Sequence, residues 1–327
     1  MRVTFRELKN EFKRVLISLS FTEAKAELCA EVFAANSLDG VYSHGLNRFP
    51  VFAQYVREGL VRPDAEPELA AGKGLIETWE GNLAPGMYNA RICMDRAITL
   101  AKENGLGCVS LRNTNHWMRG GTYGWQAADA GCIGICTTNT TANMPPWGGV
   151  EPRLGNNPLV IAIPHNDGHV VLDMAISQFS FGKLQEYEFN GEQLPVPGGY
   201  DEKGSLSTDP AAISRSMRAL PVGFWKGSGL SLVLDVLLTA LSGGRSVRDI
   251  STDKKETGVT QLFLCLHRED LHADLIREIL DYTKTSAPVE PEGAIYYPGE
   301  QTLKTRRDNE KNGIPVNEEI WNRVLAM

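Results

Sequence analysis

Residues 108–125 read CVSLRNTNHWMRGGTYGW, an apolar strand pattern that runs directly into a loop rich in glycine. The loop carries His116 and Arg119, and closely spaced glycines follow them. α/β folds place ligand-binding loops at the carboxyl ends of strands. The stretch therefore predicts an α/β fold in which His116 and Arg119 meet an anion after this strand. The alternative is a polar loop whose glycines only form turns.

The chain around this stretch alternates helix and strand patterns. A helix is predicted over 85–104, because apolar residues recur there at helical spacing and Gly105 follows as a stop. The strongly apolar segment 230–241 predicts another helix, and short apolar runs predict strands. The predicted strands are 108–112, 133–138, 159–163, 170–174 and 261–267.

The N-terminal part of the chain has a helical pattern. Thr4 and Glu7 have the spacing of a capping box, and apolar residues follow them at helical spacing. Further helices are predicted over 24–35 and 50–58. His44 is expected in the link between these two helices.

Helical character returns at the C-terminus, which suggests how the chain is divided. The segment 61–74 is rich in proline, glycine and polar residues, and this composition is typical of a boundary. We therefore expect a helical domain of residues 1–74, joined by the C-terminal helices of 300–327. The intervening residues, 75–299, are expected to form a mixed α/β domain.

Composition excludes several classes of function. The 327 residues carry a formal net charge of −7, whereas nucleic-acid binding normally needs a basic face. The six cysteines lie far apart in apolar runs, which predicts reduced thiols and a cytoplasmic protein. Cys132 and Cys136 lack a second pair of ligands, so no metal site is expected. We also expect no signal peptide and no membrane span, since no run of about eighteen apolar residues occurs.

Common nucleotide and hydrolase motifs are absent from the sequence. No GxGxxG follows a strand and opens a helix, and there is no GxxxxGK[ST], HExxH or GxSxG motif. A Rossmann dehydrogenase requires the first of these motifs. If a dinucleotide binds this chain, it is expected to bind a non-Rossmann fold.

The segment 41–50, VYSHGLNRFP, carries the most compact candidate for catalysis. His44 can deliver a proton, because a histidine exchanges protons near neutral pH. Arg48 can hold a carboxylate through two parallel hydrogen bonds. The alternative is a histidine in a turn and a solvated arginine.

Two later segments are candidates for binding. The long segment 137–158 contains Asn139, prolines and other amides, a composition suited to a hydroxyl-rich ligand. The segment 220–230, LPVGFWKGSGL, places Lys226 near the start of an apolar helix, where a phosphate can bind. Lys226 can equally be an ordinary solvated side chain.

Taken together, the motifs resemble the malate/L-lactate dehydrogenase-like family of NAD(P)-dependent 2-oxo acid reductases. The resemblance covers essentially the whole chain, with the motifs in family order. It implies a non-Rossmann NAD(P)-binding fold, in which 75–299 is the cofactor domain, and commonly a homodimer. The motifs are SHGLNRF (43–49), NHW (115–117), GNNP (155–158), LDMA (172–175), FWKGSGL (224–230) and PGE (298–300).

The resemblance also implies roles for individual residues. His44 matches the proton donor of the family, and Ser43 and Arg48 match positions that face the substrate. Asp173 is a possible partner that orients a histidine or the nicotinamide amide. The cofactor, NAD(H) or NADP(H), is expected at three segments. These comprise His169, Val170, Val171, Leu172, Asp173, Met174 and Ala175, then Trp225 and Lys226, and finally Gly299, Glu300 and Gln301.

The resulting hypothesis is reversible hydride transfer between a nicotinamide cofactor and the carbonyl carbon of a 2-oxo acid. His116, Arg119 and Asn139 are candidates for contacts to the distal oxygens of a sugar acid. No metal is required, because the proton donor and the carboxylate clamp supply the charge stabilisation. Related chemistry remains open: malate, lactate or ureidoglycolate oxidation, or cyclic imine reduction. A non-catalytic nucleotide- or sugar-acid-binding protein is a further alternative.

Overall fold

The computed structural model describes residues 1–166, 168–253 and 255–327. Helices cover both ends of the chain and alternate with strands between them, so the predicted α/β class is confirmed. The helices are α1 (Phe5–Ser18), α2 (Glu23–Leu38), α3 (Phe49–Arg57), α4 (Gly86–Asn104), α5 (Gly121–Asp129), α6 (Phe181–Asn190), α7 (Pro210–Ser216), α8 (Trp225–Ser242), α9 (Val247–Ile250), α10 (Ala273–Lys284), α11 (Glu300–Asn312) and α12 (Glu318–Leu325).

Strands between residues 68 and 267 form one large mixed sheet. Among the described residues it has seven strands in the order β2-β3-β4-β10-β5-β6-β7. β3 and β4 pair in parallel, and the other neighbours are antiparallel. The strands are β1 (Arg2–Val3), β2 (Glu68–Lys73), β3 (Ile76–Glu80), β4 (Leu106–Thr114), β5 (Cys132–Thr138), β6 (Leu159–Ile163), β7 (Val170–Met174), β8 (Gly199–Tyr200), β9 (Leu206–Ser207), β10 (Val259–His267) and β11 (Ile314–Pro315).

The helical ends of the chain pack together. The predicted capping box is present at α1: Thr4 N donates to Glu7 Oε2 at 2.7 Å, and Glu7 N donates to Thr4 Oγ1 at 3.2 Å. Aromatic rings fill the centre of this core, where Phe12 stacks on Phe49 at 4.3 Å between centroids. β11 pairs with β1, which brings the C-terminal segment back to the start of the chain.

Helices cover both faces of the large sheet. α4 and α5 pack on one face, where α5 approaches β6 closely. A Cβ added at Gly124 would lie 2.8 Å from Val160 Cγ1, so this crossing needs a residue without a side chain. On the other face, Leu238 of α8 packs with Cys108 and Leu262.

The predicted boundary segment 61–74 contains a strand that sequence reasoning did not predict. β2 lies within it and pairs with β3, so this segment contributes an edge strand to the sheet. All six residues of β2 are exposed, and its sequence ELAAGK lacks the apolar alternation that indicates a strand. The division of the chain into two domains itself stays a prediction.

The six cysteines are buried free thiols. Burial raises the pKa of Cys265 to about 12, because a thiolate is poorly solvated in an apolar core. The part of the chain that the structure describes contains no group of three or more metal-ligating side chains. In the same part, no helix combines the length and apolarity needed to cross a bilayer.

Candidate active site

His44 lies on a 3₁₀ turn, Tyr42–His44, between α2 and α3. The turn packs directly on α2. The next residue, Gly45, lies so close to this helix that an added Cβ would be 2.2 Å from Ser37 Oγ. Asn36 of α2 donates a hydrogen bond from Nδ2 to the His44 carbonyl oxygen at 3.0 Å. The glycine after the histidine therefore lets α2 hold the backbone of His44 in place.

Two histidine rings stack at the centre of the candidate site. The His44 and His116 rings lie 5.6 Å apart between centroids, at an interplanar angle of 16°. Ser43 Oγ is 3.1 Å from His44 Nδ1, which leaves Nε2 of that ring for another partner. His116 Nδ1 accepts the Met118 backbone N–H at 2.9 Å, so the neutral ring carries its proton on Nε2.

The surroundings favour the neutral form of both rings. Burial, together with the nearby His116 ring and the positive charges of Arg48 and Arg119, lowers the pKa of His44 to about 3. Burial also lowers the pKa of His116 to about 3, with a contribution from the charge of Arg48. Both rings are therefore neutral at pH 7 in the absence of ligand.

A cleft opens beside the stacked histidines. The space between its lining side chains, which includes open solvent, is about 290 Å³. Within the described residues, Arg48 makes no ion pair shorter than 4.0 Å, so its guanidinium remains available to an anion. The lining residues are Arg48, Val51, Phe52, Tyr55, Val61, Asn115, His116, Met118 and Glu256.

Glu256 is a cleft residue that sequence reasoning missed. Its Oε2 accepts hydrogen bonds from Thr141 N at 2.9 Å and Thr141 Oγ1 at 3.3 Å. Burial raises the pKa of the Glu256 carboxyl, although the Thr141 N–H and the charge of Arg48 act in the opposite direction. Glu256 stands in the charged segment KKETG, where its sequence resembles an ordinary surface loop, so no local signal identifies it.

Arg119 departs from the expectation that it contacts the substrate. Its side chain is 6% exposed and forms an ion pair with Asp39, and its Nε lies 3.6 Å from Asp173 Oδ2. Arg306 Nε and Nη2 donate to the same Asp39 carboxylate at 2.6 and 2.8 Å. Because two carboxylates already bind the Arg119 guanidinium, we correct the prediction: Arg119 joins α2 to β7 instead.

Asn139 is also occupied by internal partners. Its Nδ2 donates to Asp235 Oδ1 at 3.0 Å and to the Arg245 carbonyl at 2.8 Å. Its Oδ1 accepts the Thr260 N–H at 2.8 Å, and the residue is fully buried. Since every polar atom of the amide is used, Asn139 anchors the start of its loop and cannot serve as the predicted substrate contact.

Two of the three predicted cofactor segments meet at β7, the edge strand of the sheet. Val171 N donates to the Pro298 carbonyl at 2.8 Å, and a Cβ at Gly299 would lie 2.8 Å from the His169 carbonyl oxygen. Asp173 Oδ2 accepts the Gly121 N–H at 2.8 Å, so β7 also contacts the loop that carries His116. Asp173 thus holds the backbone at Gly121. The prediction that Asp173 orients a histidine or the nicotinamide amide stays a prediction.

Three other residues of these two segments contact different groups or face solvent. His169 Nε2 lies 3.0 Å from Asp129 Oδ1. Glu300 pairs with Lys284 at 2.5 Å, and Gln301 is exposed on α11.

The third predicted segment lies just past the end of β7. Val222 N donates to the Ile176 carbonyl at 2.9 Å, which places the start of α8 beside the residues that follow β7. Trp225 is 64% exposed, and Lys226 is exposed next to it. No side chain caps the N-terminus of α8. An uncapped helix start with an adjacent lysine can receive a phosphate group.

Comparison with known proteins identifies the family. A model of the malate/L-lactate dehydrogenase family matches residues 3–325. The chain belongs to this family. Two curated relatives are named 2,3-diketo-L-gulonate reductase: one from Citrobacter koseri is 44% identical and one from Salmonella paratyphi A is 46% identical, each over 100% of both chains. The family resemblance inferred from the motifs is therefore confirmed, and the chain is an oxidoreductase.

The fold agrees with a solved structure as well. The crystal structure of malate dehydrogenase from Entamoeba histolytica superposes with a TM-score of 0.95 at 25% sequence identity. It covers 100% of this chain, and this chain covers 96% of it. Membership of a dehydrogenase family indicates a nicotinamide cofactor.

Proposed function

We propose that this chain reduces the carbonyl group of a 2-oxo sugar acid with NADH or NADPH. The proposed reaction converts 2,3-diketo-L-gulonate to 3-keto-L-gulonate. The observation that carries the proposal is the cleft in which Arg48 lies beside the stacked His44 and His116 rings. The names of the relatives at 44% and 46% identity support the choice of substrate.

Arg48 is proposed to clamp the substrate carboxylate. A guanidinium binds a carboxylate through two parallel hydrogen bonds, which fixes both its position and its orientation. The lack of an ion pair to Arg48 among the described residues supports this role. Holding the carboxylate fixes the neighbouring carbonyl carbon near the stacked rings, and such positioning is a large part of catalysis.

His44 is proposed as the proton donor. When the nicotinamide is bound it supplies the hydride, and the carbonyl oxygen then gains negative charge. A protonated His44 can stabilise this charge and donate its proton to the oxygen. A substrate carboxylate on Arg48 would raise the pKa of His44, because it offsets a positive charge that lowers this pKa in the free site. Ser43, at 3.1 Å, holds the other ring nitrogen.

The residues around β7 fit a dinucleotide. Lys226 and the uncapped start of α8 suit a phosphate group, and the exposed Trp225 offers a flat apolar surface. The remaining segments, 169–175 and 299–301, are proposed as further contacts. Antiparallel pairing between most neighbours of the sheet supports a non-Rossmann mode of binding. NAD(H) is the proposed cofactor, with NADP(H) as the alternative.

The chain is also proposed to act as a homodimer. α8 exposes four apolar side chains on one face, Leu232, Val233, Val236 and Leu237. Contiguous apolar surface of this kind usually marks an interface, and a second copy of the chain is the proposed occupant.

A cytoplasmic location remains a prediction, supported by the free thiols. The division into 1–74 with 300–327, and 75–299, is proposed as two units that form the active site between them.

The proton-donor role can be tested with His44→Gln, which keeps a polar side chain but removes the titratable ring. We expect the kcat for NADH oxidation with 2,3-diketo-L-gulonate to fall by about 10²-fold or more. The dissociation constant of NADH, followed by its fluorescence, should change little. His272→Asn alters an exposed histidine and serves as the matched control. Turnover within a few-fold of the wild type would contradict the role of His44.

A second candidate function is reduction of a dicarboxylic 2-oxo acid such as oxaloacetate. The close superposition on the Entamoeba histolytica malate dehydrogenase favours it. Comparing kcat/KM for oxaloacetate and for 2,3-diketo-L-gulonate in the same assay decides between the two.

A further inference from the structure

The loop between α9 and β10 places an acidic side chain in the active-site cleft. Glu256 shares the lining of this cleft with Arg48 and His116. It is not paired with Arg48, since no contact within 4.0 Å joins the two among the described residues. The cleft therefore contains a cationic and an acidic group at separate positions.

The loop that carries Glu256 is held from both sides. Lys255 forms an ion pair with Glu58, which follows α3, and its Nζ lies 5.3 Å from the centre of the Tyr55 ring. Arg245 binds Asp253 at 2.8 Å and the Thr257 carbonyl at 3.2 Å. Glu256 is thus fixed in the cleft by its neighbours, which reduces the entropy lost when it binds a ligand.

One of the two Glu256 oxygens has no partner. Oε2 accepts both hydrogen bonds from Thr141, whereas no donor in the described part of the chain contacts Oε1. A polar atom that faces a cleft without a partner is suited to hydrogen-bond a ligand. A substrate hydroxyl group can donate to a carboxylate oxygen, and such a charge-assisted hydrogen bond is stronger than one to a neutral amide.

We propose that Glu256 determines specificity by binding a hydroxyl group of the substrate through Oε1, while Arg48 binds the carboxylate. This inference rests on the proposed function and names the class of substrate: hydroxylated 2-oxo monocarboxylic acids in preference to unsubstituted ones. A site built around such a hydrogen bond discriminates strongly against analogues that lack the hydroxyl, because the polar group is then left unpaired.

A purely structural role for Glu256 gives a different expectation. If the side chain only held Thr141, its loss would weaken all ligands of the cleft alike. The proposal instead requires that affinity decreases only for the ligand that carries hydroxyl groups beyond the one next to the carboxylate.

Two 2-hydroxy acids separate these roles without turnover, because they cannot react in the absence of an oxidised nicotinamide cofactor. L-erythronate and L-2-hydroxybutyrate share the carboxylate and the configuration of the neighbouring hydroxyl, but only L-erythronate has hydroxyl groups further along the chain. Calorimetry without cofactor should give wild-type protein a preference for L-erythronate of about tenfold or more. Glu256→Gln, which keeps the size of the side chain but removes its charge, and Glu256→Ala should reduce this preference at least several-fold. Affinity for L-2-hydroxybutyrate should stay within about twofold.

Glu278→Gln is the matched control, because Glu278 is exposed on α10. It should leave both dissociation constants unchanged. Equal weakening of both ligands in the Glu256 variants, an unchanged ratio, or no preference in the wild type would each overturn the proposal. Absence of NADH- or NADPH-linked reduction of any 2-oxo acid by a wild type that still prefers L-erythronate would instead overturn the proposed function alone.

Discussion

At the scale of single residues, the candidate site depends on two neutral histidines. Burial disfavours protonation of the stacked His44 and His116 rings, and the positive charge of Arg48 disfavours it further. A neutral ligand-free site can take up a proton when an anionic substrate arrives, which suits a residue that later donates that proton. The same lowered pKa values should destabilise the folded protein at low pH.

The pH dependence of stability follows from these pKa values. In the folded protein the pKa of His44 and of His116 is lowered from 6.5 to about 3. Between these values the unfolded chain binds more protons than the folded chain, so the free energy of unfolding falls as the pH decreases from 6.5 towards 3. Urea denaturation at a series of pH values should show this decline.

The two histidine positions can be tested separately. His44→Gln should make the decline of stability with decreasing pH shallower, because one group that binds protons on unfolding is gone. His272→Asn should leave the curve unchanged. A curve for His44→Gln as steep as that of the wild type would show that this pKa is not lowered by folding.

At the scale of elements, one buried carboxylate ties several of them together. Asp39, at the end of α2, binds Arg306 of α11 and Arg119 of the loop before α5. Arg119 in turn lies near Asp173 of β7, and Arg306 stacks over the Trp125 ring at 4.6 Å. This chain of charges connects the helical ends of the protein to the sheet edge that is proposed to bind the cofactor.

Removing this carboxylate charge should destabilise the protein. Asp39→Asn leaves Arg119, 6% exposed, without its main counter-ion, and loss of one partner of a buried pair costs about 3–5 kcal/mol. We expect a decrease of about 3 kcal/mol in the free energy of unfolding, measured with urea. Glu151→Gln is the control, because the exposed pair of Glu151 and Arg153 should contribute less than about 1 kcal/mol. Similar losses for both variants would contradict a dominant role of burial.

At the scale of the whole molecule, two helices each expose several apolar side chains along one face. The exposed face of α8 includes Val233 and Val236, 60% and 59% exposed. α10 has no buried residue and exposes Leu275, Ile279 and Tyr282 at helical spacing. Since amphipathic helices are normally covered on the apolar side, these faces support the proposed homodimer.

A charge on α8 tests this assembly. Val233→Glu should convert the dimer to a monomer, because association would bury an unpaired carboxylate. Light scattering after size-exclusion chromatography should give twice the chain mass for the wild type and the chain mass for the variant. Val289→Glu, at a position 98% exposed, should remain dimeric. A monomeric wild type would rule out the homodimer, and a dimeric Val233→Glu would move the interface away from α8.

The sequence predicted the elements whose own residues carry the signal. The strands Leu159–Ile163 and Val170–Met174 have the predicted bounds, because short apolar runs specify strands locally. The edge strand Glu68–Lys73 could not be predicted, since its exposed residues pair through backbone groups that any sequence supplies. For the same reason, the order of the strands in the sheet cannot be read from their patterns.

The candidate site divides in a similar way. The sequence by itself determined the family and the short segment that carries Ser43, His44 and Arg48, because these residues are neighbours in the chain. The tertiary structure alone decided that Arg119 and Asn139 are occupied by internal partners and that Glu256 enters the cleft. Whether a polar side chain is free to bind a ligand depends on which groups pack around it, and those groups come from segments far apart in sequence.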